Sequence, residues 1–177
     1  MRPLTWPLAR SRPHLTGSWE GGCNLILVRR GRPGSAVAEH RRAVVARRPE
    51  RRVVSMAITH GGLCVANLHA STGERAGKDV IEAARRVTEW ADGRPLVLGG
   101  DFNARPASSD LFATLEREFG FSAATEPEAI DHLLVRGAGV LEPAASWSPE
   151  RRDVPDPETG LKIRLSDHSP VVSRISA

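Results

Sequence analysis

The sequence predicts a mixed-sheet α/β domain. Three observations lead there. Apolar runs of strand length outnumber stretches with helical spacing, two of those runs are joined by a glycine pair, and others flank a helical stretch. A hairpin requires antiparallel pairing and a strand–helix–strand unit allows parallel pairing, so the sheet is expected to contain both.

Taken in order, CNLILVRR (23–30) reads as a buried strand ending in solvated arginines. RRVVSMAITH (51–60), the turn Gly61–Gly62 and LCVANLHA (63–70) read as a hairpin. In residues 73–93, Val80, Ala83, Ala84, Val87 and Trp90 recur at helical spacing, with Gly93 as a stop. RPLVLGG (94–100) is a short buried strand. A second helix is expected over 108–120, capped by Ser108 or Ser109, with Leu111, Phe112 and Leu115 on one face. AIDHLLVRG (129–137) and GVLEPAASW (139–147) read as strands, and residues 148–160 as a proline-punctuated loop. The chain closes with two apolar runs, 161–165 and 170–176, split by Ser-Asp-His-Ser.

A chain of 177 residues suits one domain with its own core. No run reaches the roughly 18–20 apolar residues of a membrane span, and the first 15 residues hold no continuous apolar stretch of the secretory kind. A cytoplasmic protein is expected. Cys23 and Cys64 sit in apolar runs and read as buried thiols; two cysteines alone make no zinc site. The net charge of +4 is unevenly spread: residues 1–60 carry twelve arginines against three glutamates, a balance of +9, and the remainder −5. A basic half suits a phosphate-bearing partner, although arginine use of this kind is also a compositional habit.

Four strand-like segments end in or contain polar groups suited to phosphoester chemistry: Asn67-Leu68-His69, Gly100-Asp101-Phe102-Asn103, Ile130-Asp131-His132 and Ser166-Asp167-His168. Cleaving a phosphodiester requires charge neutralisation, an activated water and donors on the oxygens that gain charge. Carboxylate and carboxamide oxygens suit Mg²⁺. A histidine beside an aspartate is oriented by it and held toward the imidazolium.

These four motifs in this order, with Pro170 closing the last, resemble the endonuclease/exonuclease/phosphatase superfamily with its DNase I-like fold. The resemblance runs from about Gly21 to Ser176. It implies two mixed β-sheets packed face to face with helices outside, and a site where strand ends meet. It further implies that His69 contacts the scissile phosphate, Asp101 orients or deprotonates the attacking water, and Asn103 binds a phosphoryl oxygen. Asp131 would orient His168, which would face the phosphate as a charged donor or acid. Asp167, with Asp101, would hold Mg²⁺ or Mn²⁺, and Asn67, Arg105 and Arg164 are the candidate substrate-binding residues. His132, next to Asp131 on an alternating strand, should point away from the site and be structural.

Family members open with a strand, a helix and a strand ending in Gln-Glu, whose glutamate is the principal metal ligand. Nothing before Cys23 matches that, since Glu20 lacks a preceding apolar strand. The expectation is therefore an N-terminally truncated fold, with residues 1–20 an irregular segment and 21–177 a partial domain. Two function classes stay open: a metal-dependent phosphodiester hydrolase acting on nucleic acid, and an impaired family member that binds phosphate-rich ligands. Small or lipid phosphoesters are alternative substrates. Arg151, Arg152 and Arg164 favour nucleic acid, and Arg151–Arg152 read equally well as a solvated charge run.

Overall fold

The computed structural model describes residues 24–122 and 125–176. Its centre is a five-stranded mixed sheet of β1 (Val37–Ala46), β2 (Arg52–Thr59), β3 (Cys64–His69), β4 (Leu96–Asp101) and β5 (Asp131–Arg136), in that spatial order. β3 and β4 are parallel and every other neighbouring pair is antiparallel. The expected hairpin is β2–β3, and the expected strand–helix–strand unit is β3, helix α1 (Ala76–Ala91) and β4.

One face of the sheet carries Val54, Met56, Cys64, Ala66, Leu68, Leu96, Leu98 and Leu134, all buried. Helix α1 lies over this face with Val80, Ala83, Ala84 and Val87 fully buried, and α2 (Leu111–Phe119) packs against α1. Cys64 belongs to this core, and burial pushes its thiol pKa up. Cys23 lies outside the described residues. Helix α1 ends at Ala91, two residues before the expected glycine, because Asp92 (φ 49°) and Gly93 (φ 78°) both turn left-handed. At the start of α2, the Ser109 hydroxyl accepts a hydrogen bond from the Leu111 N–H at 3.2 Å.

The second layer is built from antiparallel pairs. β6 (Gly139–Ser146) pairs with β9 (Val171–Ser176) and lies next to β5, while β7 (Asp153–Pro155) pairs with β8 (Lys162–Arg164). The mixed α/β class stands; where a second mixed sheet was expected, the described residues form two separate two-stranded antiparallel sheets. No helix among them is long and apolar enough to cross a membrane.

Two local expectations need correction. Residues 24–30 form no strand, and Leu25 and Leu27 are 68% and 84% exposed. Both edges of β2 are already taken by β1 and β3, so this run meets the sheet only at its face. Side chains hold it there: the Asn24 amide donates to the Val53 carbonyl, and the Asn67 amide to the Leu25 carbonyl at 3.1 Å. Conversely, β1 is a ten-residue strand that carries no strand signal in the sequence. It is an edge strand whose first six residues are exposed, so burial imposes no alternation on it.

Gly99 and Gly100 set how closely β4 approaches its neighbours. A Cβ on Gly100 (φ 128°) would lie 2.0 Å from the Leu68 carbonyl oxygen, and one on Gly99 would lie 2.6 Å from a Leu133 methyl. Gly100→Ala should therefore depress the thermal midpoint severely, by a loss of several kcal/mol. Gly77→Ala in α1, where a Cβ meets nothing within 4 Å, should raise stability by up to about 1 kcal/mol. Melting curves of the two variants check the contrast.

Candidate active site at one end of the central sheet

Strand register brings three of the four motifs level. His69 ends β3 and is paired with Asp101, which ends β4; Asp101 is in turn paired with Asp131, which begins β5. Directly paired residues share a face of the sheet, so these three side chains form a row. His132, one residue on, falls on the opposite face. It is buried between Phe102 and Phe112, with its Nε2 3.0 Å from the Ala104 carbonyl, and burial lowers its pKa.

The fourth motif reaches the row from the second layer. His168, on the loop before β9, places its Nδ1 2.7 Å from an Asp131 carboxylate oxygen. That hydrogen bond is the main cause raising the His168 pKa; the charges of Asp131, Asp101 and Asp167 add to it, against partial burial. At the other end, His69 Nε2 lies 3.5 Å from Asp101 Oδ2. The sequence of groups along the edge is thus His69, Asp101, Asp131, His168.

Asn103 is the brace of Asp101. Its backbone is left-handed (φ 49°), a conformation asparagine tolerates, and its N–H donates to Asp101 Oδ1 at 2.9 Å. Its side-chain amide donates to the Ala70 carbonyl at 3.1 Å and to Asp101 Oδ2 at 3.3 Å. The Asp-x-Asn spacing therefore makes a tight turn that orients the carboxylate, and the carboxamide spans to the residue after His69.

Asp167 lines a shallow cleft of about 220 Å³ together with Asp131, His168 and Glu128. Arg105, half-exposed, lies 3.8 Å from Glu128. Two expected substrate-binding residues are engaged elsewhere. The amide of Asn67 holds the Leu25 carbonyl, and Arg164 is paired with Asp153 across the β7–β8 hairpin at 2.9 and 3.3 Å. Arg151 stacks over the Trp147 ring at 3.8 Å.

Three further residues shape the site. Arg152 donates to the carbonyls of Ser166 (3.2 Å) and Asp167 (2.5 Å), gripping the loop that presents His168. Buried Asp79, in the first turn of α1, accepts the Ser71 N–H at 2.8 Å and pins the chain just after His69. Arg52, at the start of β2, reaches the His69 carbonyl at 3.5 Å. Asp79 at a helix start carries a weak sequence signal. Arg52 carries none, and Arg152, read from the sequence only as a charge suited to nucleic acid, carries none for this role, because their partners are backbone carbonyls distant in sequence.

A sequence profile of the Endonuclease/Exonuclease/phosphatase family matches residues 12–168. The chain belongs to that family. Solved structures sharing its fold include a family protein of Bacteroides thetaiotaomicron (16% identity, TM-score 0.60, covering 78% of this chain and 63% of that one). Another is the mannosyl-6-phosphatase of the same organism (16%, 0.59, covering 80% and 67%). A third is sphingomyelinase C of Streptomyces griseocarneus (15%, 0.58, covering 77% and 64%). The chain spans less than two thirds of the first and third of these. No curated protein matches its sequence.

Enzymes of this family generally use divalent metals. Among the described residues, no three histidine, cysteine or acidic side chains converge to hold an ion. The contacts explain why. Both Asp101 oxygens accept bonds from Asn103, one Asp131 oxygen is bonded to His168, and Asp167 is held through its backbone carbonyl by Arg152. These residues do not by themselves fit a multidentate metal site.

The Asp131–His168 bond has a direct spectroscopic test. In Asp131→Asn the largest cause of the raised His168 pKa is removed, so NMR titration of the imidazole should show a lower pKa than in the parent. An unchanged titration would mean that the bond does not control the ring.

Proposed function

We propose that this chain is a phosphoester hydrolase whose substrate class is the phosphodiester of nucleic acid. The observation that carries the reading is the row His69, Asp101, Asp131, His168 at one end of the central sheet. It places the Asp101 carboxylate beside His69 and, beyond Asp131, in line with His168, a base and two histidine donors of the kind that attack of water on a phosphoryl group requires.

In this reading Asp101, steadied by Asn103, accepts a proton from the attacking water. The water oxygen bonds to phosphorus as the bond to the leaving oxygen breaks. His168, kept as the imidazolium by Asp131, donates its other N–H to the phosphate and passes that proton to the leaving oxygen. His69 contacts the phosphoryl group from the opposite side. Asn103 can add its amide to a phosphoryl oxygen by giving up one of its two present acceptors. Mg²⁺ or Mn²⁺ is the proposed cofactor, and the reaction steps derived from these residues do not depend on where it sits.

Asp101→Asn removes the base and should lower kcat by about a hundredfold or more on a small chromogenic phosphodiester, with little change in KM. The pH profile carries a second signature. His168 must be protonated, so the rate should fall as pH rises through its raised pKa. In Asp131→Asn that basic limb should move to lower pH. A profile whose basic limb stays in place would remove His168 from the acid role.

Metal dependence gives a further expectation. With no three-ligand cluster among the described residues, turnover should still be rising at millimolar Mg²⁺ or Mn²⁺. A titration that saturates at micromolar metal would show that a complete ligand set exists.

A further inference from the structure

We infer that the arginine turn joining β1 to β2 is a second phosphate-binding element. It holds the backbone of a polynucleotide one or more phosphates away from the bond that is cut. The inference rests on the hydrolase reading above for the position of that bond.

The turn, residues 47–51, reads Arg-Arg-Pro-Glu-Arg and is followed at once by Arg52. Its position follows from the pairing. β1 ends where β2 begins, with Ala46 opposite Arg52, and the antiparallel β2–β3 register then brings Arg52 to the His69 end of β3. The turn therefore stands at the same end of the sheet as His69, Asp101 and Asp131. Strands lie about 4.8 Å apart, so the start of β2 is roughly 10 Å from Asp101, two strands away. A small phosphoester seated on the catalytic row does not extend that far; a polymer with regularly spaced phosphates does.

Two bonds fasten the turn to the site. Arg52 donates to the His69 carbonyl, and Arg75, just before α1, donates to the Arg48 carbonyl at 2.8 Å. Charge at this end is strongly biased, with Arg47, Arg48, Arg51, Arg52 and Arg75 against Glu50 and Glu74. Glu50 is paired with Arg52 at 2.6 Å. Arg47, Arg48 and Arg51 form no ion pair among the described residues, and Arg47 and Arg48 are exposed. Guanidinium groups match phosphate oxygens with paired N–H donors. A membrane surface fits less well, because basic membrane contacts are accompanied by inserted Leu, Phe or Trp, and Pro49 is the sole apolar residue of the turn.

The test measures binding of the full chain to a short fluorescein-labelled single-stranded oligonucleotide, in metal-free buffer, across a salt series. Arg47→Ser/Arg48→Ser/Arg51→Ser should weaken binding by about tenfold or more. It should also reduce the slope of log K against log salt by about 2, at roughly 0.7 per lost phosphate contact. Arg47→Ser alone, at an exposed position, should reduce it by about 0.7. Arg85→Gln/Arg117→Gln on the helices should leave binding unchanged. Parental affinity and slope in the triple variant would overturn the inference. So would loss of binding only to vesicles containing phosphatidylserine, which would make the turn a membrane contact. The hydrolase reading fails separately. Turn-dependent oligonucleotide binding without hydrolysis of any phosphoester supports the turn and overturns the catalytic assignment. Hydrolysis of small diesters with oligonucleotide binding indifferent to the turn does the reverse.

Discussion

The site depends on how closely β4 lies between β3 and β5. Gly99 and Gly100 remove the side chains that would keep the three strands apart, and the ladder continues past the strand ends. The Ala70 N–H bonds the Asp101 carbonyl and the Phe102 N–H bonds the Ile130 carbonyl, each at 2.8 Å. The parallel register on one side of β4 and the antiparallel register on the other then bring His69, Asp101 and Asp131 level. Loops could not hold three titratable groups in one row with such economy, since a loop residue lacks the backbone ladder that fixes its height.

What the sheet does not supply comes from single side chains that bind backbone. Asp79 fixes the turn after His69, Asn103 ties the turn after Asp101 to the one after His69, and Arg152 grips the loop before His168. Each joins segments that meet only in the folded chain. The family relationship and the shared fold are compatible with hydrolysis of phosphodiesters or phosphomonoesters.

Much of this was legible in the sequence, for identifiable reasons. Strands with one buried face, such as β3 and β4, announce themselves because burial imposes a period of two. The motif residues stand out because each is polar where an apolar run stops. β1 escaped detection because its first half is charged and exposed, and the run 24–30 misled because a short continuous apolar run reads as a buried strand whether or not it pairs. Arg164 and Asn67 were legible as polar residues near motifs, but their present partners, Asp153 and the Leu25 carbonyl, depend on folding that spacing does not encode. The same holds for Arg152, whose importance lies in two carbonyls fourteen and fifteen residues away.

His132 and His168 both lie next to Asp131, one along the chain and one across space, yet they respond to acid in opposite ways. The folded pKa of His168 is raised, so its contribution to stability is full below the ordinary histidine pKa and fades as pH rises through the folded value. That of His132 is lowered by burial, so below the ordinary pKa the unfolded chain takes up a proton that the native state refuses, and stability is lost as pH falls. Protonation of the fold is thus opposed behind the sheet and favoured in front of it. The alternation of one strand lets the face that carries Asp131 favour a proton on His168 while the aromatic core behind it disfavours one on His132.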